Sequence, residues 1–150
     1  GADNNSQDVL EVMRAGLVTE RILRDDSTQP QPEDVLQETT RGGAYALRQS
    51  TAIGSLEVGK KADLLVLNTQ QAHLVPTLRI VSGWIHNGQA ADIEAVMVNG
   101  RFLMRDRTVL TMDEARIVQE AERIGRRAWN QLLERYPSAP FPTRVAPRLA

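Results

Sequence analysis

Residues 54–68 read GSLEVGKKADLLVLN, a charged loop with two glycines that runs directly into a short apolar stretch. Gly54 and Gly59 allow the backbone to turn sharply because glycine has no Cβ. Lys60 and Lys61 are interpreted as solvated residues of the turn. The apolar residues 64–67, LLVL, come directly after the loop. A continuous apolar run of this length is typical of a strand that is covered on both faces. The stretch therefore predicts a loop that delivers the chain into a buried strand.

A β-hairpin is the clearest local pattern downstream of that strand. Residues 95–104, AVMVNGRFLM, place an apolar stretch on each side of Asn99 and Gly100. This dipeptide favours the type I′ turn of a two-residue hairpin. Asp106 and Arg107 offer a second turn, followed by a short return strand. Residues 74–89 are compatible either with a short helix or with an extended segment.

Two helices are predicted before the loop. Residues 8–24 carry an apolar stripe at helical spacing, with Ser6 as a candidate N-cap; the stripe is Leu10, Met13 and Leu17. A second helix is predicted from Pro32, a residue suited to the first helical position, to Arg48. Gly42 and Gly43 interrupt this second pattern at a cost of roughly 1 kcal/mol each relative to alanine. Either the pair packs closely against a neighbouring element or the helix frays there.

A long terminal helix is predicted over residues 111–135. Thr111 and Glu114 have the spacing of a capping box. Apolar residues repeat every three or four positions and predict a packed face, formed by Ile117, Ala121, Ile124, Ala128 and Leu132. The tail beyond this helix, residues 137–150, contains four prolines and is therefore predicted to be extended.

The composition excludes several classes of function. Hydrophobic residues make up 41% of the 150-residue chain, charged residues 25%, and the formal net charge is −1. Proteins whose main task is to bind nucleic acid or an anionic membrane normally carry a basic excess, so neither partner is expected. The absence of cysteine excludes disulfides and thiolate metal sites and fits a reducing cytosol. No apolar stretch approaches the roughly 20 residues of a membrane-spanning helix.

Few residues are candidates for chemistry. His73 and His86 are separated by 13 positions, and with no cysteine they do not complete any usual catalytic zinc site. Asp3 stands just before the first helix, where an aspartate can bind a metal or take a proton from water. Taken alone, the run Asp-Asn-Asn is more typical of a turn or a helix cap. Trp84 is interpreted as a packing residue.

Four segments resemble motifs of one enzyme superfamily. Residues 54–64 resemble the segment by which its enzymes leave their barrel and enter a small β-sandwich. Residues 40–47 resemble the A-T-x-N-G-A-x-A-L-G helix, with departures at Thr39, Gly42 and Arg48. Residues 93–101 resemble the terminal hairpin. Residues 1–4, GADN, resemble the G-[TS]-D-N turn that ends the eighth barrel strand, and DVLEVMR at 8–14 resembles the following D-x-L-E-x-M-R helix. These motifs resemble the amidohydrolase superfamily, in particular the branch with enzymes similar to cytosine/guanine deaminase and atrazine chlorohydrolase.

The resemblance implies an α/β architecture. It contains the last βα unit of a TIM-type (β/α)8 barrel, C-terminal strands of a small β-sandwich and a terminal helix. Residues 1–52 would then end the barrel, residues 53–110 would supply sandwich strands, the hairpin and a short helical segment, and residues 111–150 would form the helix and proline-rich tail. The apolar strand would be buried between sandwich and barrel. A chain that opens at Gly1 without methionine is expected to be the C-terminal third of such an enzyme.

The same resemblance implies a metal-dependent hydrolase. It would cleave a C–N or C–Cl bond of a nitrogen heterocycle with a metal-activated water, most simply by hydrolytic deamination. One divalent metal, Zn or Fe, would be held by upstream residues and by Asp3, which would also move the proton of the attacking water; Asn4 would contact substrate. The expected partners are a small heterocyclic substrate and the remainder of the barrel, without nucleic acid or membrane, in the cytoplasm. A homo-oligomer is left open.

A non-catalytic interaction or oligomerisation module derived from such an enzyme is the alternative. The two hypotheses differ in what precedes Asp3. An enzyme requires a His-x-His motif roughly 250 to 300 residues upstream, an estimate from the usual length of a TIM barrel. The module does not require it. By itself the chain is expected to be inactive.

Overall fold

The computed structural model describes residues 6–137. The chain divides after Thr111 into two compact units. Asp3 and Asn4, together with the rest of the segment 1–5 and most of the proline-rich tail, lie outside the described residues. The expectations for these residues remain predictions.

The described chain alternates helical and strand segments. The first unit contains α1 (Val9–Arg24), α2 (Pro32–Gln37), a π-helical turn (Glu38–Gly42), α3 (Gly43–Ala46), β1 (Leu64–Leu67), α4 (Ile80–Asn87), a 3-10 turn (Ala90–Asp92), β2 (Ile93–Val98), β3 (Arg101–Arg105) and β4 (Thr108–Val109). The second unit contains α5 (Glu114–Arg135). The helices predicted near both ends and after Pro32 are present, and the ambiguous segment 74–89 contains a short helix. The fold is thus the α/β class that the sequence predicts.

Aspartates begin both long helices, in place of the residues predicted as caps. The Asp8 carboxylate accepts the backbone N–H of Leu10 at 2.9 Å, while Ser6 only accepts the N–H of Asp8 at 3.1 Å. The Asp113 carboxylate accepts the N–H of Arg116 at 3.0 Å and begins α5. A carboxylate satisfies a free N–H and also opposes the positive end of the helix dipole. The predicted caps Ser6 and Thr111 were therefore wrong by two residues each.

The four strands form one antiparallel sheet in the order β1-β2-β3-β4. Asn99 and Gly100 both have positive φ, 50° and 76°, as the predicted type I′ turn requires. A second turn with positive φ, at Asp106 and Arg107, leads into β4. The loop before β1 is tied to the hairpin, since the Asn99 N–H donates to a carboxylate oxygen of Asp63 at 2.6 Å. The hairpin prediction is confirmed.

The strand β1 is less covered than the apolar run LLVL predicts. It is an edge strand of the described sheet, and its residues Leu65 and Val66 are 49% and 42% exposed. Leu67 packs against the main apolar cluster. The described residues supply β1 with a partner strand on one edge only. The predicted strand covered on both faces is therefore not found within residues 6–137.

The main apolar cluster joins α1 to α4. Leu10, Met13 and Leu17 of α1 are buried against Trp84 and Ile85 of α4. Half-buried residues from the neighbouring elements pack around this cluster; they are Val35, Leu36, Leu67, Val81 and Ile93. Trp84 is 7% exposed, which agrees with its interpretation as a packing residue. The helix that the sequence left ambiguous is thus the principal packing partner of α1.

The Gly42–Gly43 pair lies at a π-helical turn inside a continuous helical segment. The Gly43 N–H bonds to the Glu38 carbonyl, five residues back, which is the π-helical pattern. The helix continues to Ala46, so it does not fray at the pair. A Cβ on Gly43 would meet no described atom within 4 Å, and one on Gly42 would lie 2.6 Å from a carboxylate oxygen of Glu38 in the same helical segment. The fraying interpretation was therefore wrong, and close packing against a neighbouring element is not found at the pair among the described residues.

Close packing occurs instead at Gly54, in the loop that opens the quoted stretch. Gly54 has φ of +92°, and a Cβ there would lie 2.7 Å from the Ala44 Cβ and 3.1 Å from the Thr40 carbonyl oxygen. Glycine is required here both by its backbone conformation and by the space available. The loop therefore packs directly against the helical segment that precedes it.

The helical segment ends in a Schellman motif with an arginine at the left-handed position. The Gln49 N–H donates to the Ala44 carbonyl at 2.8 Å, and the Arg48 N–H to the Tyr45 carbonyl at 2.9 Å. Arg48 has φ of 56°, a region that favours glycine. The related helix pattern has glycine at this position, so the departure noted from the sequence places an L-residue in a costly conformation.

A buried carboxylate links the segment before α4 to the sheet. Asp92 is 3% exposed, and both its oxygens lie 3.0 Å from Nε2 of His73. It also accepts the Gln89 N–H at 2.8 Å. Burial raises the pKa of Asp92, but the hydrogen bonds from Gln89 and His73 and the nearby charges of His73 and Arg107 outweigh it and lower the pKa below the ordinary 3.8.

The second unit presents α5 with its apolar face open. None of its 22 residues is buried, and Ile117 and Ile124 are 48% and 51% exposed. Ion pairs Glu120–Arg123 and Glu122–Arg126 lie along the helix. The predicted helix is confirmed, but none of the residues of its predicted packed face is buried. No helix in the described part of the chain is long and apolar enough to span a membrane.

We expect Arg48→Gly to raise the free energy of unfolding by about 1 kcal/mol, since glycine removes the cost of the left-handed backbone at the end of α3. Arg48→Ala is the matched control because it removes the same side chain and keeps the strain. Denaturant unfolding of both variants measures the difference. An equal effect of the two variants would contradict the explanation from backbone strain.

We expect Asp92→Asn to lower the free energy of unfolding at pH 7 by about 1 to 3 kcal/mol, because charge-assisted hydrogen bonds are lost. Since folding lowers the Asp92 pKa, the wild type keeps this stabilisation above about pH 4 and loses it as the pH falls through the folded value. The gap between wild type and variant should therefore narrow in acid. Glu94→Gln, an exposed neutralisation two residues away, is the control. A gap that is independent of pH would exclude the charge of Asp92 as the cause.

Candidate functional site

The residues predicted to carry chemistry directly precede the first described helix. Asp3 and Asn4 lie outside residues 6–137, so the structure does not show which groups they contact. It does show the helix after them, since Asp8 begins α1 five residues beyond Asp3. What the structure describes next to these residues is α1 and the contacts that hold it in place.

Arg14 clamps α1 onto the C-terminal end of α4. Its Nε donates to the Ile85 carbonyl at 3.0 Å and its Nη2 to the Gly88 carbonyl at 2.7 Å. The last carbonyls of a helix lack intrahelical partners and carry partial negative charge, so a guanidinium satisfies them and is attracted to them. Arg14 belongs to the DVLEVMR motif, but no role for it was predicted from the sequence. An arginine four residues after Leu10, beside the apolar stripe, was the signal available.

The turn after α4 is built to present these carbonyls. Gly88 is buried, and a Cβ there would overlap both the side chain and the carbonyl oxygen of Trp84. The Gly88 N–H donates to that same carbonyl at 2.7 Å. The indole N–H of Trp84 finds no hydrogen-bond partner among the described residues. The turn is thus closed tightly around Trp84, with the Gly88 carbonyl directed at Arg14.

Neither histidine takes part in a metal cluster within residues 6–137. His73 is engaged with Asp92, and His86 lies exposed in the last turn of α4. In this described range, no group of three or more His, Cys, Asp or Glu side chains could hold a metal ion. The described part of the chain therefore does not fit a metal centre by itself.

The GSLEVGK loop is held together by its own polar side chains. Nζ of Lys60 donates to Oγ of Ser55 at 2.7 Å, and that hydroxyl donates to Glu57 at 2.6 Å. The hydrogen bond from Ser55, followed by the bond and charge of Lys60, lowers the pKa of Glu57. The Lys60 side chain is only 16% exposed. Lys60 is therefore an internal link of the loop, and its interpretation as a solvated turn residue was wrong.

The side of α1 away from α4 remains open. Apolar side chains on it are at least half exposed; they are Val9, Val12, Val18, Ile22 and Leu23. A groove of about 550 Å³ runs between α1 and α2, with Val12, Met13 and Val35 among its lining residues and Glu20, Asp34 and Glu38 among its polar ones. A helix that is apolar on more than one side is normally buried on more than one side.

The chain is similar to known proteins over most of its length. A model of the amidohydrolase family matches residues 1–103. A 5-methylthioadenosine/S-adenosylhomocysteine deaminase of Desulforudis audaxviator is 36% identical over 126 residues, which are 84% of this chain and 29% of the relative.

Two solved structures show the same fold over the shared region. The adenosine deaminase from Xanthomonas campestris with bound zinc has a TM-score of 0.79 and 28% identity, covering 83% of this chain and 28% of that chain. The atrazine chlorohydrolase from Arthrobacter aurescens TC1 complexed with zinc has a TM-score of 0.66 and 26% identity, covering 75% and 25%. The chain thus spans less than a third of the length of these relatives.

The family match begins before α1 and ends within β3. It includes all four helices of the first unit, Arg14 and the GSLEVGK loop. It covers well over half of the chain. Among the described residues, the segments that resemble the superfamily in sequence are the start of α1, the helical segment around Gly42 and Gly43, the loop that begins at Gly54 and the hairpin. This chain belongs to the amidohydrolase family.

Proposed function

We propose that the protein to which this chain contributes is a metal-dependent hydrolase that deaminates a nitrogen heterocycle. The observation that carries the proposal is the family match over residues 1–103. The deaminases of Desulforudis audaxviator and Xanthomonas campestris support hydrolysis of a C–N bond. The atrazine chlorohydrolase supports C–Cl hydrolysis as the second candidate, with a lower structural similarity.

An amino-purine nucleoside is the substrate class we propose. The names of the two deaminases refer to adenosine and to its thioether derivatives, which share the adenine ring and its exocyclic amine. Hydrolysis would add water at the ring carbon and release ammonia. The chain itself supplies too little of the pocket to restrict the class further, because pockets of TIM-barrel enzymes are built from all eight βα loops.

The open apolar surfaces support the inferred architecture. We propose that residues 1–52 complete a (β/α)8 barrel and that residues 53–110 add strands to a β-sandwich. The exposed side of α1 and the exposed residues Leu65 and Val66 of β1 would then be covered by the remainder of the protein. Contiguous apolar surface of this kind marks an interface. The C-terminal helix, within residues 111–150, would likewise be covered along its Ile117–Ile124 face.

We propose that Asp3 is the catalytic and metal-binding residue that this chain contributes. The metal ligands other than Asp3 would come from residues outside this chain. Residues 6–137 contain no group of three or more His, Cys, Asp or Glu side chains that could hold a metal ion. Zinc is favoured over iron because both neighbouring structures contain zinc. The metal would supply an activated water. The Asp3 carboxylate would accept the proton of that water and return it to the leaving nitrogen, with Asn4 beside it contacting substrate.

In the whole protein, Asp3→Asn should lower kcat by about 10²- to 10⁴-fold with little change in KM, because the amide keeps the size of the carboxylate and removes the base. If Asp3 is only a turn residue, the variant loses roughly 1 kcal/mol of stability and keeps its kcat. Measurement of kcat together with metal content separates the two. A variant that keeps more than about a tenth of the wild-type kcat removes Asp3 from the catalytic residues.

The whole protein should release ammonia from 5-methylthioadenosine or adenosine, whereas the isolated 150-residue chain should release none and bind no zinc tightly. The reason is that the chain lacks the histidine ligands of a catalytic zinc site. An ammonia assay over these nucleosides and atrazine, with zinc titration of the isolated chain, tests both statements. Turnover and stoichiometric zinc uptake by the isolated chain would overturn the proposal; turnover of atrazine alone would favour the second candidate.

A further inference from the structure

We propose that α5 pairs in antiparallel orientation with the α5 helix of a second copy of the protein. The apolar face of α5 forms the interface; it consists of Ile117, Ala121, Ile124, Ala128 and Leu132. The proposal goes beyond the hydrolase activity and does not depend on it. It rests on the exposure of this face and on the order of the charges along the helix.

The apolar face of α5 is exposed in the described part of the chain. The helix spans Glu114–Arg135, and none of its residues is buried. Ile117 and Ile124, its two largest branched residues, are about half exposed. Apolar residues at this spacing on an otherwise charged helix are typical of a helix that packs along its length against another one. The face therefore calls for a partner, and the charges beside it indicate which partner fits.

Acidic and basic side chains occupy different halves of α5. From the cap Asp113 up to Arg123 there are four acidic side chains and one arginine, and from Arg123 onward there are four arginines and one glutamate. The helix dipole favours such an order only within the first and last turn, whereas Glu120 and Arg126 lie in inner turns. Intrahelical ion pairs account for Arg123 and Arg126, but Arg127 makes no ion pair within residues 6–137.

An antiparallel pair sets the acidic half of each helix against the basic half of the other. At about 3.6 residues per turn, Glu120 and Arg127 lie along one edge of the apolar face, and Glu122 and Arg126 lie along the other edge. The twofold axis of such a pair brings each edge beside the same edge of the second copy. Contacts between Glu120 and Arg127 and between Glu122 and Arg126 then require the same register, with the axis near Ile124.

The apolar side chains match in that same register. Ile117 of one copy lies opposite Leu132 of the other, and Ala121 lies opposite Ala128. Ile124 meets its own counterpart at the twofold axis. Charged edges and apolar face thus define one arrangement independently of each other. A parallel pair would set acidic halves against each other and basic halves against each other, and this repulsion disfavours it.

The experiment exchanges charges on α5 in the whole protein and measures the dimer dissociation constant by sedimentation velocity. The acidic variant is Arg126→Glu with Arg127→Glu, and the basic variant is Glu120→Arg with Glu122→Arg. We expect each variant alone to dimerise more weakly than the wild type by roughly tenfold or more, because like charges then face each other. An equimolar mixture of the two should form a heterodimer roughly tenfold or more tighter than either alone, since opposite charges meet on both edges.

Arg116→Glu with Arg123→Glu is the matched control. It changes the net charge by the same amount as the acidic variant. Both arginines lie on the side of the helix away from the apolar face. The dissociation constant of this control should therefore stay within about threefold of the wild-type value, because the charges that it reverses do not face the second copy.

Cross-linking tests the same register if the charge variants do not fold. A short bismaleimide should join Ile117→Cys to Leu132→Cys in a mixture of the two variants, because these positions face each other across the pair. It should not join Ile117→Cys to itself, since the two copies of position 117 lie about 22 Å apart in this register. Mass spectrometry of the linked peptides identifies the positions that have reacted.

Two results would overturn the inference. One is a wild-type protein that remains monomeric at micromolar concentration, which would indicate that the remainder of the same molecule covers the face. The other is a dimer that the acidic variant and its control weaken equally and that gives no link between positions 117 and 132, which would place the interface elsewhere. Neither result bears on the proposed hydrolase, because release of ammonia is measured separately.

Discussion

The contact between α1 and α4 is the one on which the first unit depends. It joins a 16-residue helix to an 8-residue helix that is too short to be stable alone. Five buried apolar side chains supply its free energy, and Arg14 supplies its direction. Leu67 of β1 and Ile93 of β2 pack against the same cluster and so attach the sheet to it. Without this contact, α4 would not be stable as a helix.

Apolar side chains of the first unit remain exposed on α1 and on β1. Membership of the amidohydrolase family and the small share of each relative covered by this chain are consistent with the open side of α1 and the exposed residues of β1. The buried face of α1 is directed at α4, which the chain supplies. The open face carries five apolar side chains that are at least half exposed. Such a helix is typical of one that lies between two layers.

Local chemistry explains what could be predicted from the sequence. Asn99–Gly100 determines its own turn, and the stripes of α1 and α5 depend on spacing alone, so these elements were found. The burial of β1 and of α5 depends on what covers them, which a local pattern does not contain. The caps were misassigned because serine, threonine and aspartate all suit the position and stand within two residues of one another. The role of Arg14 depends on carbonyls more than 70 residues away.

Asp3 and Asn4 illustrate a different limit. The motif around them carried the resemblance, and the family match includes them, but the described structure begins after them. Their chemistry is therefore inferred from the family alone. The lysine of the GSLEVGK loop shows the reverse case, since the sequence suggested solvent and the structure shows a closed network with Ser55 and Glu57.

The clamp has a consequence for how this region tolerates variation over evolutionary time. Arg14 donates its hydrogen bonds to backbone oxygens, so they do not depend on which side chains stand at the end of α4. The exception is position 88, where a side chain would overlap Trp84. The two sides of the contact are therefore under unequal constraint. Exposed positions of α4 such as His86 can therefore be substituted without loss of this contact. A substitution of Arg14 is not compensated by a substitution of Gly88, and the reverse also holds.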